Sequence, residues 1–427
     1  MNRSRHPLAG LSRRKMLQAS GAASLAAILP PVGLARADTA TKLPAPSLAE
    51  IAAQKGLFLA AWLPFAAFNL PDQPAAFPKA PDGIADIYRH ECTGFVADAK
   101  NDEIMRADGM LNAARPRRIV EFAKAAGVRP LVWHTLVWNK ASPFVAAIKD
   151  RKDGIKTLKY WIEEFLTHWG DYPVQSIQVV NELHFPWSDH KWGYGTKAPD
   201  GTPHPWLAAI GDDAPELAFR FAAEVASPST KLILNEATWT LTSGNLGAYD
   251  RNRAHILATL RRWQDAHVPI HGLGLQLHIT PGFAPIGPRL LPGKGDYIDP
   301  SVQLAFLDKV AALGLEIHLT EFDCTDLYLA GKSRAERREI CARYTRDFLP
   351  PLLAHKAVRS FQLWGMTDHP RDSYLAGDPA WDQPDPRWDG KPTAPRPREA
   401  MPYDASLAPK PLRAAIADAL AKAPKRP

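Results

Sequence analysis

The fold this chain predicts is a closed (β/α)8 barrel, and three observations carry the prediction. Short apolar runs alternate eight times with longer stretches of helical periodicity, the pattern of parallel strands joined by crossover helices. About 390 residues remain once the first 37 are set aside, a usual length for one such barrel. Apolar residues make up 46% of the chain, enough to fill a core of that size.

The N-terminal segment comes first because it distorts the totals. Ser12-Arg13-Arg14-Lys15-Met16-Leu17 leads into an apolar run ending at the small-residue cleavage site Ala35-Arg36-Ala37. Residues 1–37 therefore read as a twin-arginine export signal, and a periplasmic or secreted protein is expected. Those residues hold six Lys and Arg and no Asp or Glu; taking six from 52 basic residues leaves 46 against 45 acidic ones. So nearly neutral a chain gives no electrostatic reason to expect nucleic acid or an anionic membrane as partner. No later stretch approaches a membrane span. Cys92, Cys324 and Cys341 are widely spaced and odd in number, so neither a disulfide framework nor a thiolate metal site follows.

The eight strands are predicted to start near Leu57, Cys92, Pro130, Ser176, Lys231, Gly272, Glu316 and Arg359. Helices are expected over 115–126, 154–169, 215–226, 252–266, 302–313 and 334–349, with a last one over 411–421. Residues 38–427 form one domain, its barrel core spanning about 55–420. Two insertions interrupt the pattern: an aromatic and Gly-rich one from His184 to Trp206, and a Pro-rich one from Asp378 to Pro411. The first is a candidate substrate wall; the second reads as a wrap around the last helix.

In such a barrel the C-terminal strand ends share one mouth. Here they carry His134 and Trp138 on strand three, Asn181 and Glu182 on strand four, and Gln276 and His278 on strand six. Strand seven adds Glu321 and Asp323, and strand eight Trp364 and Asp368. Two carboxylates across a mouth lined with Trp suit glycosidic bond cleavage, which needs a proton for the leaving oxygen and a nucleophile for the anomeric carbon. Trp faces stack on sugar rings. A metal-dependent hydrolase is disfavoured, because His134, His278, Glu321 and Asp323 lack a spacing such as His-Glu-x-x-His. No metal and no cofactor is expected.

Over roughly residues 55–420 the chain resembles glycoside hydrolase family 10, the endo-β-1,4-xylanases. The motifs are HTLVW from His134, VVNEL from Val179, GLGLQLH from Gly272, LTEFD around Thr320, LWGMTD from Leu363 and PKP from Pro409. The resemblance implies a retaining enzyme acting on xylan or xylo-oligosaccharides, with Glu182 as acid/base and Glu321 as nucleophile. It implies that Asn181 contacts the 2-hydroxyl of the sugar, that His134, Gln276 and His278 line the glycone site, and that Trp138 and Trp364 wall the cleft. His278 and Asp323 would support the nucleophile. Asn235-Glu236 also ends a strand but matches a non-catalytic position, so Glu236 is left out. Retention predicts carboxyl groups about 5 to 5.5 Å apart. An oligosaccharide or polysaccharide is the expected partner of a monomer.

The match departs where the family has a Glu-Asn-x-x-Lys segment after strand two. Here Asp98, Ala99 and Asp102 replace Glu, Asn and Lys, though Lys100 and Asn101 could serve from a shifted register. Asn139, His271, Leu277 and Tyr374 also replace family residues. These changes predict weak distal glycone binding and poor activity on plain xylan, with Trp187, Trp192, Tyr194 and Trp206 holding the leaving-group side. The same chemistry on another β-glycan or a plant glycoside is the alternative, and a non-catalytic carbohydrate-binding barrel is the alternative of a different class.

Overall fold

A computed structural model describes residues 43–64, 83–127, 129–184, 204–237, 246–279, 281, 300–326, 329, 332–369 and 399–426. The export segment, most of both insertions, and Trp187, Trp192, Tyr194 and Tyr374 lie outside the described residues.

Eight strands close a barrel in sequence order: β1 Phe58–Trp62, β2 Gly94–Asp98, β3 Leu131–Val137, β4 Val174–Asn181, β5 Lys231–Glu236, β6 Gly272–Ile279, β7 Glu316–Cys324 and β8 Val358–Leu363. Every pair is parallel, and β1 closes on β8 through registers such as Leu59 with Phe361. Each predicted start falls within two residues of the observed one. The runs could be read because parallel strands covered by helices are buried on both faces and stay apolar throughout.

The crossover helices Ala114–Ala125, Arg151–His168, Ala214–Val225 and Ser301–Ala311 lie close to their expected ranges. Two run further. Leu246–Asp265 begins six residues early, where Gly247 and the polar pair Asp250-Arg251 break the apolar periodicity. Arg334–Ala354 continues through Pro350 and Pro351. A proline inside a helix costs about 3 kcal/mol, but Leu352 and Leu353 beyond the pair are completely buried, contributing roughly 1.5 to 3 kcal/mol each. The burial holds the last turn.

Helices absent from the sequence reading are Leu48–Gln54, which opens on a Ser47/Glu50 capping box, and Ile84–Glu91. Three short helical turns, Asn101–Ile104, Pro143–Ala146 and Pro205–Ile210, complete the loops. The C-terminal helix Pro411–Lys422 starts with Pro at its first position. Glu91, fully buried, ties the helix before β1 to the segment after β8. It accepts from Arg413 Nε and Nη2 at 3.2 Å, from the Leu48 amide at 2.6 Å and from the Tyr403 hydroxyl. All three cysteines are buried, and none forms a disulfide among the described residues. No helix among the described residues is long and apolar enough to cross a membrane.

Candidate active site

The strands all point one way, so Trp62, Asp98, Trp138, Glu182, Glu236, His278, Glu321 and Trp364 arrive at one rim. Two rim residues have unusual backbones: Glu182 adopts φ 54° and Glu321 φ 56°. A non-glycine residue in the left-handed region costs on the order of 1 to 3 kcal/mol and persists where its surroundings hold it.

The surroundings are a chain of amides between the two carboxylates. Gln276 Nε2 donates to Glu182 Oε1 at 3.0 Å and to Asn181 Oδ1 at 3.4 Å. Asn181 Oδ1 also accepts from Asn235 Nδ2 at 2.7 Å, and the same nitrogen donates to Glu321 Oε1 at 2.6 Å. Thr320 Oγ1 donates to Asn235 Oδ1 at 2.7 Å, so both ends of the Asn235 amide are engaged and its orientation is set. Gly274 in β6 makes room for it, since a Cβ there would strike Asn235 Oδ1. Trp138 Nε1 completes the hold on the other carboxylate, donating to Glu182 Oε2 at 2.9 Å.

Glu321 and His278 form a charged unit. His278 Nδ1 lies 2.5 Å from Asp323 Oδ2, and its Nε2 lies 3.2 Å from Glu321 Oε2. Burial pulls the imidazole pKa down, but Asp323 and Glu321 outweigh it and push it up to about 10, so His278 is an imidazolium donating from both nitrogens. Burial likewise raises the Glu321 carboxyl; the His278 hydrogen bond, the charges of His134 and His278 and the Asn235 amide more than reverse this and hold it below its usual value. Glu321 is thus an ionised carboxylate with only 5% exposure. The His278→Ala variant removes the cation and leaves Asp323 repelling Glu321. The acid limb of its kcat/KM profile is expected to move toward neutral pH, because the carboxylate must be ionised to act; an unmoved limb in a pH titration would contradict this assignment.

Against this unit, with Trp364 meeting the His278 ring edge-on at 6.3 Å, Trp62 and Trp364 stack with centroids 5.3 Å apart, and the His134 ring meets Trp364 edge-on at 4.9 Å. His134 Nδ1 hydrogen-bonds Gln178 Oε1 and lies 3.9 Å from Glu321 Oε1. After β2, Lys100 Nζ sits 2.9 Å from Asp98 Oδ1 and 5.9 and 5.8 Å from the ring centres of Trp62 and Trp138. Burial opposes its charge, but Asp98, Glu103 and Glu321 keep the ammonium protonated. Of the two registers the sequence left open, the structure places the Lys100 ammonium, two residues before the family's Lys position, beside Asp98 and the two indoles. Asp98 is turned inward, accepting from Trp62 Nε1 at 3.1 Å. Asn101 does not serve, since its Oδ1 takes the Ser142 amide and its Nδ2 faces the Met105 sulfur; Asp102 is exposed on the following helical turn.

Two further readings are corrected. Trp206 is fully buried, so it belongs to the core and not to a substrate wall. Asp368 turns away from the mouth: its carboxylate takes the Lys410 ammonium and the Met401 amide, anchoring the C-terminal segment. His271 acts at the barrel's opposite end, where Nδ1 accepts the Leu232 amide at 2.9 Å, and Leu277 is core. Sequence reasoning missed Trp62, Lys100 as a partner of Asp98, Gln178, Asn235 and Thr320. Trp62 carried a usable signal, as the last residue of the first strand. No group of His, Cys, Asp and Glu among the described residues is arranged to hold a metal.

The chain matches the profile of Glycosyl hydrolase family 10 over residues 80–419. It is 28% identical over 257 residues to a β-1,4-xylanase of Dictyoglomus thermophilum, covering 58% of this chain and 63% of that protein. It is 26% identical over 336 residues to exoglucanase XynX of Acetivibrio thermocellus, covering 75% of this chain and 25% of that protein. The chain therefore spans less than two thirds of both relatives. Among solved structures, native xylanase 10B from Thermotoga maritima superposes with a TM-score of 0.66 at 22% identity, covering 88% of this chain and 98% of that one. Xylanase 10B from Thermotoga petrophila in complex with xylobiose gives 0.66 at 21% identity, covering 90% and 99%. These structures share the fold, and the profile match spans most of the sequence: the chain belongs to glycosyl hydrolase family 10.

Proposed function

We propose that this protein is a retaining glycoside hydrolase acting on β-1,4-xylan or xylo-oligosaccharides. The observation that carries the reading is Glu321, ionised in a buried site beside the His278 imidazolium and joined through Asn235, Asn181 and Gln276 to Glu182. In the first step Glu321 attacks the anomeric carbon while Glu182 gives its proton to the departing oxygen, leaving a glycosyl ester on Glu321. In the second, Glu182 takes a proton from water, the water oxygen attacks the same carbon, and the ester bond breaks to return Glu321 as carboxylate. Asn181, with its Oδ1 engaged by two amides, has its Nδ2 left to donate to the sugar's 2-hydroxyl.

The substrate class rests on the family, on the xylanases the chain resembles and on the xylobiose bound by one structural neighbour. The resemblance to an exoglucanase keeps a second β-glycan open. An NMR time course on xylotetraose tests the proposal. Release of β-configured product, unaffected by EDTA, is expected; α product would mean inversion, and loss restored by one divalent ion would mean metal-assisted chemistry. A reducing-sugar screen across purified glycans tests the substrate class.

With an ammonium present at Lys100, plain xylo-oligosaccharides are expected to bind. A charge-assisted hydrogen bond contributes roughly 1.5 to 3 kcal/mol, so Lys100→Ala is expected to raise KM for xylotetraose by about tenfold or more. An unchanged KM would place the distal grip elsewhere. We also propose export by the twin-arginine route, supported by the Arg13-Arg14 pair, the apolar run and Ala35-Arg36-Ala37. Replacing both arginines with lysine and following the location of the mature protein tests it.

A further inference from the structure

The turn that carries Glu182 is held from behind by a carboxyl group that the double displacement does not use. Glu236, the last residue of β5, is completely buried, and its two oxygens lie 3.2 and 3.1 Å from the His184 amide nitrogen. The carbonyl of His184 accepts from Asn252 Nδ2, on the helix Leu246–Asp265. One residue before Glu236, the Asn235 carbonyl accepts the Glu182 amide at 2.8 Å. Residues 182–184 are therefore fastened at both ends to the tip of β5, and Glu182 between the fastenings carries the left-handed φ of 54°. A carboxyl group is costly to bury and persists where it satisfies a particular donor.

We propose that Glu236 is a positioning residue, which by holding the His184 peptide fixes the turn that aims the Glu182 carboxyl at the leaving-group oxygen. Burial pushes the Glu236 carboxyl well above its usual range; the His184 amide draws it back, and the charge of Glu182 raises it again. What the side chain supplies at the His184 peptide is hydrogen-bond geometry, and glutamine has the same shape and keeps an accepting oxygen. The inference rests on the reading of Glu182 as acid/base.

The test compares kcat/KM, which reports the glycosylation step, on xylotetraose and on a dinitrophenyl β-xylobioside whose leaving group needs no proton. Glu236→Ala is expected to lose about tenfold or more on xylotetraose and to stay within about threefold on the activated substrate, with Glu236→Gln near wild type on both. Equal loss on both substrates, which general damage to the barrel would produce, overturns the proposal, as does full activity of Glu236→Ala. Should Glu236→Ala fail to fold, Glu236→Asp, one methylene shorter, must show the same skew. Glu182→Ala is measured alongside; if it shows no skew, the acid/base reading itself fails, whatever Glu236 does.

Discussion

Glu321→Ala is expected to abolish turnover, with kcat falling by at least about 10⁴-fold. In the proposed mechanism this carboxylate forms the bond to the anomeric carbon, and no neighbouring group can replace it: Asp323 is bound to His278 at 2.5 Å, and Glu182 is held by Trp138 and Gln276. Truncation empties a small space beside an imidazolium, where a small anion is welcome. Azide is therefore expected to restore cleavage of an aryl β-xylobioside and to give the α-glycosyl azide, since one displacement then replaces two. Residual activity near wild type, or a β azide, would remove Glu321 from the nucleophile's role.

The second large effect is selective. Glu182→Ala is expected to lower kcat/KM on xylotetraose by about 10² to 10⁴-fold, the usual worth of a positioned proton donor. On a dinitrophenyl β-xylobioside the same value should be nearly unchanged, because that leaving group departs without a proton. The glycosyl ester should then accumulate, visible as a burst of dinitrophenolate, because no base activates water. Azide, attacking the ester in place of water, should yield the β-glycosyl azide. Opposite azide anomers from the two variants distinguish the two carboxylates by product alone. A uniform loss on both substrates would exclude Glu182 as the acid.

Much of the site was legible because its carriers sit at strand ends. Glu182, Glu321, Gln276, His278 and Trp364 each lie at or just beyond the end of an apolar run, and parallel strands place all such ends on one rim. The partners of those residues were not legible. Asn235 reads as an ordinary strand-end amide, and only the closed barrel puts its nitrogen on Glu321 and Asn181, 86 and 54 residues away in sequence. Lys100 follows Asp98 by two residues, but its placement between Trp62 and Trp138 depends on how β1, β2 and β3 lie side by side. Trp206 and Asp368 were misread for the same reason: an aromatic or acidic residue near the rim has two faces to choose from, and packing chose the inward one.

Local patterning by itself determined the eight strand-helix units and the placing of Glu182 and Glu321 at strand ends; their proposed roles came from the resemblance of the motifs to the family. Period and turn chemistry are short-range properties, written in neighbouring residues. Tertiary structure alone decided which way each carboxyl is shifted. Glu321 is held below its usual value and Glu236 pushed well above it although both are buried glutamates at strand ends: an imidazolium helps outweigh burial at Glu321, whereas at Glu236 burial and the charge of Glu182 outweigh the backbone amides of His184 and Leu183. Those environments are assembled from strands far apart in sequence. The free energy of a charge depends on what surrounds it in space.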